Sequence, residues 1–199
     1  MAIGLNQVAY STPQTPTATV AVAFPGAQSA GDLNIVVVGW NDTTASVQLV
    51  KDSAGNNYNL AIGPTSGTGL RQSIYYAAGI VGGNNTVTVQ FDQAATAPDI
   101  RILEYQGVTT LDASSGASGN SATADSGSAT TTAANELIFG ADMVATLTQG
   151  AGSGFTSRIV TVPDGDIAED QTATTAGSTS ATAPLTAAGP WVMQMVSFK

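Results

Sequence analysis

The chain contains no histidine and no cysteine, and only five of its 199 residues are basic. Without histidine there is no Ser-His-Asp triad and no zinc or iron site built on imidazole. Without cysteine there are no disulfides or thiolate metal sites, and the redox compartment is left open. Lys51, Arg71, Arg101, Arg158 and Lys199 stand against 14 Asp and Glu, a formal charge of −9. So few cations cannot neutralise a run of phosphates, which makes nucleic acids and anionic membranes poor partners. No stretch approaches the ~20 apolar residues of a membrane-spanning helix. The N-terminal "MAIGLNQVAYSTPQ" lacks the basic and long apolar regions of a secretory signal, as expected of a mature exported chain or of a virion component assembled in the cytosol. Charged residues are also scarce, at 10% against roughly 25% in ordinary soluble domains. Gly, Ala, Ser and Thr fill the remainder, a composition suited to secreted modules and to fibre or shell proteins.

The 3.6-residue apolar repeat of a helix is missing as well. Two-residue alternation takes its place: Val87, Val89 and Phe91 in "NTVTVQFD", Val20, Val22 and Phe24 in "TATVAVAF", and Leu137, Phe139, Ala141 and Met143 in "NELIFGADMV". Turn signals rich in Gly and Asn separate these runs at 52–58, 79–85 and 163–166. About twelve short strands without helices predict an all-β, two-sheet β-sandwich with jelly-roll-like topology. A barrel or tandem Ig-like domains are the alternatives. A weak internal repeat pairs "GDLNIVVVGW" (31–40) with "NELIFGADMV" (135–144), and "PDIRILEYQG" (98–107) with "GPWVMQMVSF" (189–198). The chain is therefore read as one domain, 1–199, whose halves, about 1–110 and 111–199, are pseudo-repeats. The Ser/Gly/Ala-rich stretch 112–135 has the composition of a linker, but its alternation favours an edge strand.

"AGDL" (Ala30–Leu33) leading into a buried strand, "ILEYQGV" (102–108), "SATTTAANELIFGA" (128–141) and the C-terminal "WVMQMVSF" resemble a broad group of bacterial surface and phage-tail β-sandwich modules. The resemblance spans nearly the whole chain. It implies a sandwich in an extracellular, cell-surface or virion setting, and it carries no common chemistry and no site residue.

Chemistry has little to build on. Neither lysine has a serine three residues before it, and the N-terminal residue is Met, so Ser-Lys and N-terminal Thr nucleophiles are excluded. A glycosidase-type carboxylate pair would have to come from Glu104, Glu136 and Glu169. Glu104 shares its parity with Ile100 and Ile102 and is expected to reach solvent or an arginine at the end of its strand, and Glu136 is expected at an edge. The chain is accordingly read as a non-enzyme. Calcium is the one metal that this inventory suits, because it takes carboxylate and amide oxygens. "PDGDIAED" gathers Asp164, Asp166, Glu169 and Asp170 as candidate ligands, and "DSAGNNY" (Asp52, Asn56, Asn57) is a weaker loop of the same kind. The simpler reading of the first is a solvated turn, and of the second a hairpin whose Gly and Asn set the turn.

Sugar recognition by sandwiches uses aromatic faces flanked by amides. Trp40 with Asn41 and Asp42, together with Tyr75, Tyr76 and Trp191, are the candidate ligand-binding residues. Trp40 ends a strand that is apolar on both faces, which favours a role capping the core over a ligand platform, and the same structural reading is favoured for Trp191. The function that these residues imply is a non-enzymatic extracellular or particle-surface binding or adhesion module for a neutral glycan or cell-surface polysaccharide. The alternative is a structural subunit of a phage fibre, virion decoration or surface filament. Such a subunit would form a homo-oligomer through β-strand edges such as "SATADSGSATTT" or a donated "LNQVAY".

Overall fold

The computed structural model describes residues 2–199, which form fifteen β-strands and no helix. Two five-stranded antiparallel sheets lie face to face. The first has the order β1 (Gly4–Ser11), β8 (Asp99–Gln106), β3 (Leu33–Trp40), β6 (Arg71–Ala78), β5 (Asn59–Ser66). The second has the order β9 (Leu111–Asp125), β15 (Thr182–Phe198), β11 (Glu136–Val144), β13 (Ile167–Ala173), β12 (Thr156–Val160). A three-stranded sheet, β2 (Thr17–Ala23), β7 (Thr86–Ala95) and β4 (Val47–Asp52), covers the outer face of the first. The short pair β10 (Ala129–Thr131) and β14 (Gly177–Thr179) lies over the second.

This layering explains why β3 is apolar on both faces. Leu33, Ile35 and Val37 point inward against Leu137, Phe139 and Val196 of the opposing sheet. Val36, Val38 and Trp40 point outward against Val20, Val89 and Phe91 of the three-stranded sheet. Successive side chains of a strand leave on opposite faces, so a strand sandwiched between two layers needs apolar residues at both parities. β11 occupies the equivalent place in the second sheet and is buried throughout.

The chain is an all-β sandwich with jelly-roll character. The run β1-β8-β3-β6 interleaves early and late strands as a jelly-roll sheet does, with β2-β7-β4 as its partner layer. The second sheet repeats the first strand for strand: β9 stands for β1, β15 for β8, β11 for β3, β13 for β6 and β12 for β5. Three strands beyond the expected twelve arise because β10, β14 and β12 are short and carry little alternation. The stretch that resembles a linker is mostly β9, an edge strand of 15 residues, and the expected C-terminal strand 189–198 begins earlier, as the 17-residue β15.

Candidate functional site

An open groove of about 610 Å³ lies at one end of the first sheet, within the size range of small-ligand sites. Its walls are the β4–β5 loop with Asn56, Asn57 and the first residue of β5, Asn59, and the β8–β9 connection with Thr109 and Thr110. Tyr76 of β6, paired in register with Asn59, contributes the aromatic surface, with Val81 and Leu111 beside it. No residue lining the groove carries a charge.

The walls are held before any ligand arrives. Asp52 at the end of β4 accepts hydrogen bonds from the Asn56 backbone and side chain, Tyr58 Oη and Asn85 Nδ2, at 2.8–3.0 Å. Burial pushes its carboxyl up, but the hydrogen bonds from Asn85, Asn56 and Tyr58 outweigh it and hold the group below the ordinary carboxylate range. Asn56 Oδ1 then accepts from Val81 N at 2.8 Å, tying the loop to the β6–β7 turn. Asn57 and Asn59 are exposed, and among the described residues their side-chain amides make no hydrogen bond. Tyr76 is fixed edge-on against Phe198, with ring centroids 5.3 Å apart. The loop first read as a weaker calcium candidate therefore uses Asp52 and Asn56 to build the wall and leaves Asn57 facing outward.

The other predicted ligand residues are not gathered there. Trp40 is 1% exposed, donates from Nε1 to Ala45 O at 3.1 Å and meets Phe91 edge-on at 5.5 Å, so it caps the outer core and offers no face to a ligand. Asp42 closes the turn after it by accepting from the backbones of Thr44, Ala45 and Thr96, while Asn41 is exposed and its backbone donates to Thr96 O. Trp191 is 8% exposed, lies across Gly119 of β9 and donates to Ser121 Oγ at 2.9 Å. Tyr75 is half-buried on the opposite face of β6 from Tyr76, against the outer core. The glutamates also depart from expectation. Glu104 is buried and accepts from Gln7 Nε2 at 2.5 Å and Ser29 N at 2.7 Å, touching neither solvent nor an arginine. Glu136 opens the central strand β11, where its Oε1 accepts from Ala133 N.

A second polar centre lies between the two large sheets. Arg101 projects inward from β8 and is wholly buried, donating to Ile167 O, Asp142 O and Gln72 Oε1 and lying 2.8 Å from Asp99 Oδ1 through Nε. Asp99 also accepts from Thr161 Oγ1 at 2.6 Å. Carboxylate oxygens of Asp99, Asp164 and Asp166 lie within 4.8 Å of one another. Burial drives the Asp166 carboxyl well above the ordinary range, helped by the charges of Asp99 and Asp142. Burial raises Asp99 as well, against the opposing pull of Arg101 and Thr161.

The four acidic residues of "PDGDIAED" are not one cluster. Asp164 and Asp166 precede β13, whereas the strand's alternation sends Glu169 and Asp170 to opposite faces. Glu169 accepts from Gly152 N on the outer side, and burial lifts its carboxyl to about 7. Asp170 is gripped by both arms of Arg158 at 2.7 Å and by Tyr105 Oη at 2.5 Å.

No family model, curated protein or solved structure matches the chain. Asn59, Thr109 and Thr110 escaped the sequence reading because nothing in a lone amide or hydroxyl marks it as part of a groove. Asp99 escaped because 65 residues separate it from Asp164 and only the packing of the two sheets brings them together.

Proposed function

We propose that the protein is a non-enzymatic binding module of an extracellular, cell-surface or virion setting, and that it recognises a neutral glycan in the groove of Asn57, Asn59, Tyr76, Thr109 and Thr110. The observation that carries this reading is an uncharged groove with free amides, hydroxyls and an aromatic side chain on walls that are already ordered. Amides and hydroxyls exchange hydrogen bonds with sugar hydroxyls, the tyrosine ring packs against sugar C–H surface, and the absence of charge disfavours polyanions. Pre-ordered walls reduce the entropy that binding must overcome.

Screening the purified protein against arrayed glycans and insoluble polysaccharides tests this. One neutral glycan class should bind, and the double substitution Asn57→Ala, Asn59→Ala should weaken it by roughly tenfold or more, each net hydrogen bond being worth about 0.5–1.5 kcal/mol. Both side chains are exposed, so Tm should stay unchanged. No binding across plant, fungal and bacterial glycans would overturn the reading.

One feature favours the structural-subunit alternative. β9 is a long edge strand whose only charged residues are Asp112 and Asp125 near its ends, and among the described strands it pairs with β15 alone. Natural edges of this length usually carry lysine, proline or a covering element. An ordered homo-oligomer in solution would support this alternative.

A further inference from the structure

We propose that Asp99, Asp164 and Asp166 form a calcium site that clamps the two large sheets together. Asp99 begins β8 of the first sheet, and Asp164 and Asp166 come from the β12–β13 connection of the second. Calcium lies about 2.3–2.6 Å from its oxygen ligands, so ligands on opposite sides of one ion stand about 5 Å apart. The three aspartates each place an oxygen within 4.8 Å of the others, which fits one ion at their centre.

The hydrogen-bond inventory points to a missing partner. Asp166 is wholly buried. Its Oδ1 accepts from Val144 N at 2.8 Å, but its Oδ2 has no partner among the described residues. Asp164 repeats the pattern, with Oδ1 accepting from Gln14 Nε2 at 2.9 Å and Oδ2 buried without a partner. A buried carboxylate oxygen left unpaired is costly, and native proteins supply such oxygens with a donor, a water or an ion. Charge leads to the same ligand. Asp99, Asp164 and Asp166, with Asp142 close by, face the single guanidinium of Arg101, and a divalent cation would offset the excess of acidic groups.

Hard oxygen donors suit calcium, magnesium or manganese rather than the softer zinc and copper ions, since every ligand is a carboxylate. Two of the three aspartates are buried and fixed by backbone or hydroxyl donors, while Asp164 is half-exposed and leaves an approach from solvent. Calcium tolerates the irregular geometry of such a set and completes its shell with water or carbonyl oxygens, whereas magnesium demands a near-ideal octahedron. Glu169 and Asp170 take no part, being held by Gly152 and by Arg158 and Tyr105.

The site is independent of the glycan groove and is tested without any sugar. Isothermal titration of EDTA-stripped protein with calcium chloride should show one site per chain. Calcium at about a hundredfold above its dissociation constant should raise Tm by roughly 5–10 °C. Asp164→Asn, at the exposed rim, should keep the metal-free Tm within a few degrees while weakening calcium binding at least tenfold, and Asp166→Asn should abolish it. No titration heat together with a calcium-insensitive Tm would overturn the proposal. So would calcium binding that survives both substitutions, or magnesium binding as tightly as calcium.

Discussion

Trp40 and Tyr76 are both aromatic residues beside polar loops, and what separates them is the layer that lies over each. The three-stranded sheet closes over Trp40, and its N–H is satisfied by Ala45 O within the turn that Asp42 organises. Tyr76 faces the other way, packs edge-on against Phe198 and reaches the groove at the sheet's end. Trp40→Ala should therefore cost roughly 3–5 kcal/mol of unfolding free energy, the range for emptying a large aromatic site in a core. Denaturant titration measures this, and an unchanged midpoint would remove Trp40 from the core. Glycan affinity should not follow Trp40 beyond the loss of folded protein.

Among the elements, β9 and β15 show how small residues serve a neighbour. Trp191 and Gly119 are directly opposite in the antiparallel register, and a β-carbon built on Gly119 would fall 2.5–3.1 Å from three atoms of the indole ring. The glycine thus lets the ring lie flat across the edge strand while Nε1 reaches Ser121. Gly119→Ala should destabilise by about 1–3 kcal/mol through overpacking, read as a fall in Tm. Gly116→Ala at the same strand would press on Thr65 and Ile62 of β5, where the edges of the two large sheets meet. The small-residue composition that resembles a linker is, on this strand, a packing requirement.

At the scale of the whole molecule, two sheets of identical strand order meet through an apolar interface with Arg101 at its polar end. Burying so many carboxyls makes stability depend on pH in both directions. Asp42 and Asp52 have carboxyls lowered by hydrogen bonds despite burial, so the stability they contribute is present above the unfolded value near 3.8 and is lost as acid protonates them. Asp142 and Glu169 are raised by burial to about 6 and about 7, so their contribution is complete below the unfolded values of 3.8 and 4.5 and is lost as pH rises through 6 and 7. In metal-free buffer Tm should therefore peak near pH 4–5 and decline towards pH 8. Glu169→Gln, which keeps an acceptor for Gly152 N, should flatten the alkaline decline. A wild-type profile flat between pH 5 and 8 would contradict the assignment.

The sequence by itself determined the class of the molecule. Alternation at period two, turn chemistry at Gly and Asn, and a strand apolar at both parities dictate layered β-structure, because the pleat leaves no other way to bury those residues. The likeness of 31–40 to 135–144 falls on β3 and β11, the central strands of the two sheets. Only the tertiary structure decided which polar residues act together. Asp99 approaches Asp164 and Asp166 because two sheets pack face to face, Glu169 and Asp170 part because one strand alternates, and Asn57 and Asn59 join Thr109 and Thr110 because two loops end at the same edge. Strand formation is a local consequence of residue pattern. A site is a coincidence of distant residues in space, which local pattern does not encode.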